Sequence, residues 1–182
     1  MKIFLIVQVI VCIFLQSCGS SNGTSTGNPL VAVQFKSFSA FNAQSSNGEV
    51  TPLTVSNLKM CFKRLRFKPV SGIVDNIDLI LDEVAIATTG QLITTASVPP
   101  GTYSRVEFDL DTHCASAKSV QVVNSAGSFT SNETMTIRFD GNLVLTGSQN
   151  LDLNIQAIIS ALNTVTSNAD IKVKAESVGG NF

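Results

Sequence analysis

Val98-Pro99-Pro100-Gly101-Thr102-Tyr103-Ser104-Arg105-Val106-Glu107-Phe108-Asp109-Leu110-Asp111 decides how the rest of the chain is read. Val106, Phe108 and Leu110 alternate with Arg105, Glu107, Asp109 and Asp111, which is the period of a strand with one buried face. The prolines cannot donate to a ladder, so they mark a turn before the strand, with Gly101 free to take positive φ. Tyr103 opens the strand, where its ring can cap a core and its hydroxyl can reach backbone.

The same period continues outward in both directions. Upstream, residues 30–35 place Val31, Val33 and Phe35 on one face. Residues 55–67 place Leu58, Met60 and Phe62 together, then Leu65 and Phe67 continue that face one position late, which predicts a β-bulge at Lys63-Arg64. Residues 75–87 carry Ile77, Leu79 and Leu81, slip at Asp82-Glu83 and resume with Val84 and Ile86; 91–98 form a shorter strand. Downstream, strands are expected at 119–123, at 128–139 as one strand or two, at 142–146 and at 151–155. Asp140-Gly141-Asn142 between alternating segments predicts a hairpin turn.

One segment changes period. Ile155, Ile158, Ile159 and Leu162 fall at i, i+3, i+4 and i+7, so a short helix is expected near residues 155–163. Ile171, Val173 and Ala175 alternate again, with Lys172 and Lys174 outward, and predict a closing strand. The expected fold class is therefore all-β: a single antiparallel β-sandwich of transthyretin-like or immunoglobulin-like type with one short helix. Pro99-Pro100-Gly101-Thr102-Tyr103 and the strand behind it resemble the "P-x-G-x-Y" element of uncharacterised bacterial lipoprotein β-sandwich domains, and such elements also occur in transthyretin-like and carboxypeptidase-regulatory-like modules. That resemblance implies a sandwich and no catalytic residues.

The N-terminus supplies an address. Lys2 precedes an apolar run from Ile3 to Leu15 broken only by Gln8, shorter than the roughly 20 residues needed to cross a bilayer. A basic start followed by a short apolar core has the layout of a secretory signal peptide. Leu15-Gln16-Ser17-Cys18 resembles the bacterial lipobox, which implies cleavage before Cys18 and attachment of diacylglycerol and palmitate-type acyl chains to that residue. Residues 18–28 then read as a flexible Gly/Ser/Thr/Asn tether and 29–182 as one domain. The resemblance places the protein in the bacterial cell envelope. Gly19, in place of the Asp that retains enteric lipoproteins at the inner membrane, points to the outer membrane.

Cys12 leaves with residues 1–17 and Cys18 takes the lipid, so Cys61 and Cys114 remain. In an oxidising compartment that pair suggests a disulfide; two separate buried thiols, or a metal pair with His113, are the alternatives. Loss of Lys2 leaves eleven basic against thirteen acidic residues, a balance that suggests neither nucleic acid nor an anionic surface; Walker-type and dinucleotide-binding glycine motifs are missing, and no cofactor is expected. There is no Trp, one Tyr and one His, which argues against aromatic sugar platforms and against most active sites.

Three clusters remain to be weighed. Lys59, Lys63, Arg64, Arg66 and Lys68 could meet lipid phosphates, but strand alternation assigns them to a solvated face or a sheet edge. Glu107, Asp109 and Asp111 lie about 7 Å apart along one face and could contribute to a calcium site; an acidic ladder paired with the basic strand is the plainer reading. His113 beside Cys114 would lie on the opposite face of a strand, so it is read as an exposed turn residue and no catalytic residue is assigned. The expected function is a non-catalytic structural or protein-interaction role on the envelope, with membrane lipid and an envelope protein as partners. The alternative is a module binding a glycan, a metal ion or a small hydrophobic ligand.

Overall fold

The computed structural model describes residues 27–37, 42–44, 50–52, 58–71, 75–78, 81–87 and 89–182. The expected leader, Cys18 and the tether up to residue 26 lie outside them. The described chain folds mostly as β structure in two mixed sheets, with two helices and a separate two-stranded pair. In order, the elements are β1 (Leu30–Phe35), β2 (Asn42–Gln44), β3 (Val50–Pro52), β4 (Leu58–Pro69), β5 (Asp75–Asp78), β6 (Glu83–Ala85), β7 (Gln91–Ser97) and β8 (Gly101–Leu110). They continue with β9 (Val120–Asn124), β10 (Gly127–Ser131), β11 (Met135–Leu145), β12 (Gln149–Leu153), α1 (Gln156–Asn163), α2 (Asp170–Ser177) and β13 (Gly180–Asn181).

Cys61 reveals how the main sheet is organised. Its N–H donates to the Ser119 carbonyl (3.0 Å) and its own carbonyl accepts the Asp111 N–H (3.2 Å). Residues 111 and 119 therefore meet β4 at one position, and β8 and β9 are two parts of one long strand interrupted by 111–119. On the other side of β4, the Phe62 carbonyl accepts the Leu81 N–H (3.2 Å) where β5 gives way to β6. β4 itself carries its extra residue at Lys63, between the pairs Phe62↔Leu110 and Arg64↔Asp109. β10 and β11 are likewise separated by 132–134. Apart from the short β13, the main sheet is thus four long antiparallel strands, three interrupted and β4 bulged at the same level. The phase slips at Lys63 and near Asp82, and the break within 128–139, stand where the apolar pattern put them.

The smaller sheet, β12-β1-β7, lies against the main one through Phe35. Its ring stands 6.1 Å from Phe62, 6.0 Å from Phe108 and 5.8 Å from Phe139, centroid to centroid, and all four side chains are essentially fully buried. Tyr103 behaves as expected: it is buried and its hydroxyl donates to the Pro99 carbonyl (2.7 Å).

Three expectations need correction. The sheets are not purely antiparallel, because β1 runs parallel to β12 and β11 parallel to β13. A parallel pair needs a long crossover, and for β1 and β12 the whole main sheet serves as that connection. There are two helices, because residues 170–177 form α2 in place of a closing strand. Ile171 and Ala175 are spaced i, i+4 as well as by twos, and both are buried while Val173 is 67 % exposed. Asp170 selects the helix by accepting the Thr166 and Ser167 N–H groups (3.1 and 2.9 Å), which closes the preceding turn.

Asp140-Gly141-Asn142 is not a hairpin turn either. β11 runs through it with one extra residue, between Asp140↔Arg105 and Leu143↔Tyr103, so it is a bulge inside one strand. The Phe182 ring covers Gly141 so closely that a Cβ there would meet it at 2.7 Å. Of the two readings for the cations of β4, the open face holds and the sheet edge does not: Lys59 and Lys63 are half exposed, while β4 is paired on both sides over most of its length. The edge formed by β10 and β11 is capped, β11 by Glu176 of α2 accepting the Thr136 N–H (3.0 Å) and β10 by Asn168 accepting the Thr130 N–H (3.0 Å).

Candidate functional site

The face of the main sheet opposite the rings is charged. Antiparallel register sets Arg64 beside Asp109 and Arg66 beside Glu107. Arg66 Nη2 bonds Asp109 and lies 3.2 Å from Glu107 Oε2, which Lys68 Nζ also approaches at 3.5 Å. Thr136 of β11 donates to Asp109 Oδ1 (2.8 Å), and Arg105 reaches both Glu107 (3.6 Å) and Asp140 (2.6 Å). The three carboxylates expected on one face of β8 are therefore there, and each is matched by cations of β4. Their surroundings differ from the expectation in one respect: Glu107 and Asp111 are buried, so the ladder is enclosed by its own partners more than by water.

At the interrupted level the ladder ends in a denser cluster. Cys61 and Cys114 form a disulfide with their Cα atoms 5.9 Å apart. Cys61 is fully buried and Cys114 nearly so, and the Cys114 N–H donates to Cys61 Sγ (3.1 Å). His113 lies over the bridge, its Nδ1 3.4 Å from Cys61 Sγ and its Nε2 3.8 Å from Cys114 Sγ. The strand ends at Leu110, so alternation no longer separates the two side chains and the turn folds the ring back onto the sulfurs. No family model, curated protein or solved structure matches this chain.

Asp111 organises the cluster. One carboxylate oxygen accepts from Lys63 Nζ (2.7 Å), and the other accepts from the His113 ring and from the His113 backbone N–H (3.0 Å). Burial pushes the Asp111 carboxyl up, but Lys63 and His113 outweigh it and hold the group down at about 2. The bond to Asp111 raises His113 above its ordinary value, against burial, and the Leu81 carbonyl helps. Geometry points the same way: Nδ1 faces the Asp111 carboxylate and Nε2 faces the Leu81 carbonyl (2.9 Å), two accepting partners whose arrangement favours the doubly protonated ring.

That charge state limits what the cluster can do. Cys61, His113 and Cys114 bring one donor atom each within 4.8 Å of one another. Yet the sulfurs are bonded together and both ring nitrogens are engaged, so none is free for a metal. Nor can a doubly protonated imidazole accept a proton from a serine. Sequence reasoning named Cys61 and Cys114, weighed His113 beside them as a metal partner and placed Asp111 and Lys63 in facing charged strands; it did not bring Lys63, Asp111 and His113 together against the disulfide. The bulge at Lys63 was the available signal, since an extra residue redirects a side chain.

The pair implies a specific pH response. Asp111 is depressed below its ordinary 3.8, so its contribution is full above pH 4 or so and is lost as pH falls towards about 2, roughly 2 kcal/mol in all. His113 is shifted upward, so its share is full below its ordinary 6.5 and fades as pH rises through the folded value. Urea unfolding of wild type and Asp111→Asn between pH 2 and 8 checks this. Wild type should lose its advantage on both sides of about pH 4–6; a constant difference across the range would refute the coupling.

Proposed function

We propose that the chain is an exported, lipid-anchored envelope protein whose β domain has a structural or protein-interaction role without catalysis. The observation that carries this reading is the buried Cys61–Cys114 bridge, because disulfides persist in oxidising compartments outside the cytoplasm. It agrees with the lipobox-like Leu15-Gln16-Ser17-Cys18 and the polar tether behind it. The finer fold assignment, a transthyretin-like or immunoglobulin-like sandwich, belongs to the same proposal and draws support from the ring contacts joining the two sheets. A non-catalytic role is favoured by the ladder, whose carboxylates are matched by cations, and by a sole histidine that both of its neighbours hold protonated.

Membrane attachment is through acyl chains on Cys18, each buried methylene adding about 0.8 kcal/mol of affinity. The outer membrane is the proposed site, with an envelope protein as partner. The test is expression of the full chain and of Cys18→Ala in a bacterial host, followed by detergent phase partition and intact-mass measurement. Wild type should enter the detergent phase as a chain starting at Cys18 and carrying diacylglycerol and acyl mass; Cys18→Ala should carry neither. Equal partition of the two, without lipid mass, would overturn the anchor.

A further inference from the structure

We propose that Cys61–Cys114 is an exchangeable disulfide that a dithiol reductant opens at Cys114, with Cys61 leaving as a thiolate held by the His113 imidazolium and the Cys114 N–H. The asymmetry of the bridge assigns the roles. Cys61, on β4, is fully buried while Cys114 in the turn is 6 % exposed, so Cys114 is the more accessible of the two to an incoming sulfur. The groups able to stabilise negative charge stand nearer the other sulfur, although His113 Nε2 lies 3.8 Å from both. The His113 ring comes to 3.4 Å of Cys61 Sγ, and the Cys114 N–H already donates to it (3.1 Å). A nearby cation and an N–H donor make a thiolate a better leaving group and a more stable product. In the oxidised protein the imidazolium is neutralised by Asp111 alone; reduction adds a second anion beside it.

The exchange balances as follows. The thiolate of the dithiol bonds to Cys114 Sγ as the Sγ–Sγ bond breaks, and that electron pair goes to Cys61. The second thiol of the reductant, giving up its proton, attacks its partner sulfur in the mixed disulfide and closes the reductant's own disulfide. Cys114 leaves and takes a proton, while Cys61 stays ionised beside His113. Two electrons have passed from dithiol to protein. Opening the bridge removes the covalent tie between 111–119 and β4 and leaves the Cys61 backbone bonds to Asp111 and Ser119, at the level where the strands of the main sheet are interrupted or bulged, which makes this turn a redox-sensitive joint. The charged groups facing His113 are Asp111 from its own turn and Lys63 from β4. This inference concerns the domain alone and is independent of the lipid anchor.

The test equilibrates the detergent-solubilised full chain in graded dithiothreitol buffers, counting free thiols by alkylation and following folding by circular dichroism. Wild type, His113→Ala and His113→Lys are compared. Wild type should be reduced while still folded. His113→Ala should shift the equilibrium about ten-fold towards the disulfide, about 30 mV for a two-electron couple, and His113→Lys should recover part of it. In the reduced proteins, thiolate absorbance should persist to lower pH in wild type than in His113→Ala. Free thiols that appear in wild type only as the sheet unfolds, or an identical equilibrium and thiolate titration in His113→Ala, would overturn the proposal. So would one zinc per chain retained by reduced wild type through gel filtration and lost in His113→Ala, which would reassign the three groups to a metal.

Discussion

Cys61→Ala/Cys114→Ala is expected to lower the unfolding free energy by about 4 kcal/mol relative to the oxidised wild type. The bridge joins residues 53 apart, and closing a loop of that length removes a large share of the unfolded chain's freedom. Native-state terms add to this, because both side chains are buried between β4 and the 111–119 turn and truncation leaves space there. Wild type reduced in place should fall between the two, since it loses the covalent tie but keeps both sulfurs and gains a thiolate beside His113. Urea titrations of the three forms at neutral pH measure the differences. A loss under about 1 kcal/mol in the double variant would mean that the unfolded chain is already compact around these residues.

Phe108→Ala is expected to cost about 3–5 kcal/mol. Phe108 lies at the centre of the aromatic cluster, 5.2 Å from Phe62, 6.0 Å from Phe35 and 6.1 Å from Phe139, each on a different strand. Its removal opens a void that rigid β backbone on both sides cannot close, and it strips edge-to-face ring contacts from three neighbours. Because Phe35 is the main sheet's aromatic link to β1, the variant should weaken the joint between the sheets as well as the main sheet. Phe108→Leu, which keeps most of the volume, should lose far less. Equilibrium denaturation of both variants, read by the midpoint at constant slope, separates these outcomes; equal losses for Ala and Leu would show that packing volume is not the cause.

Much of the local architecture was legible because period-two burial is written directly into side-chain order. The strand after Pro99-Pro100-Gly101, the extra residue at Lys63, the helix carrying Ile158, Ile159 and Leu162, and the Tyr103 bond to Pro99 all follow from properties of neighbours in the chain. The misreadings share a different cause. Ile171 and Ala175 satisfy both periods over eight residues, and only the Asp170 bonds to Thr166 and Ser167 choose the helix. Asp140-Gly141-Asn142 has turn chemistry, but β8 pairs with both flanks and the Phe182 ring covers Gly141, so the segment becomes a bulge. In the cluster, the sequence names the cysteines and the acids. It sets His113 beside them as a metal alternative and Lys63 in the basic strand, but does not bring both onto the disulfide, because 111–119 is irregular and no periodicity governs where its side chains point.

Apolar faces, most strand interruptions and the two cysteines of residues 29–182 are readable from side-chain order, since each depends on the chemistry and spacing of residues close along the chain. The tertiary structure alone decided which strands pair, that β1 runs parallel to β12, and that residues 61, 63, 81, 111, 113 and 114 converge on one point. Those outcomes depend on contacts between distant segments. Register across β4 and β8 sets Arg66 on Glu107 and Asp109, and two backbone bonds at Cys61 draw both ends of the 111–119 turn together, which holds a protonated imidazole over a disulfide.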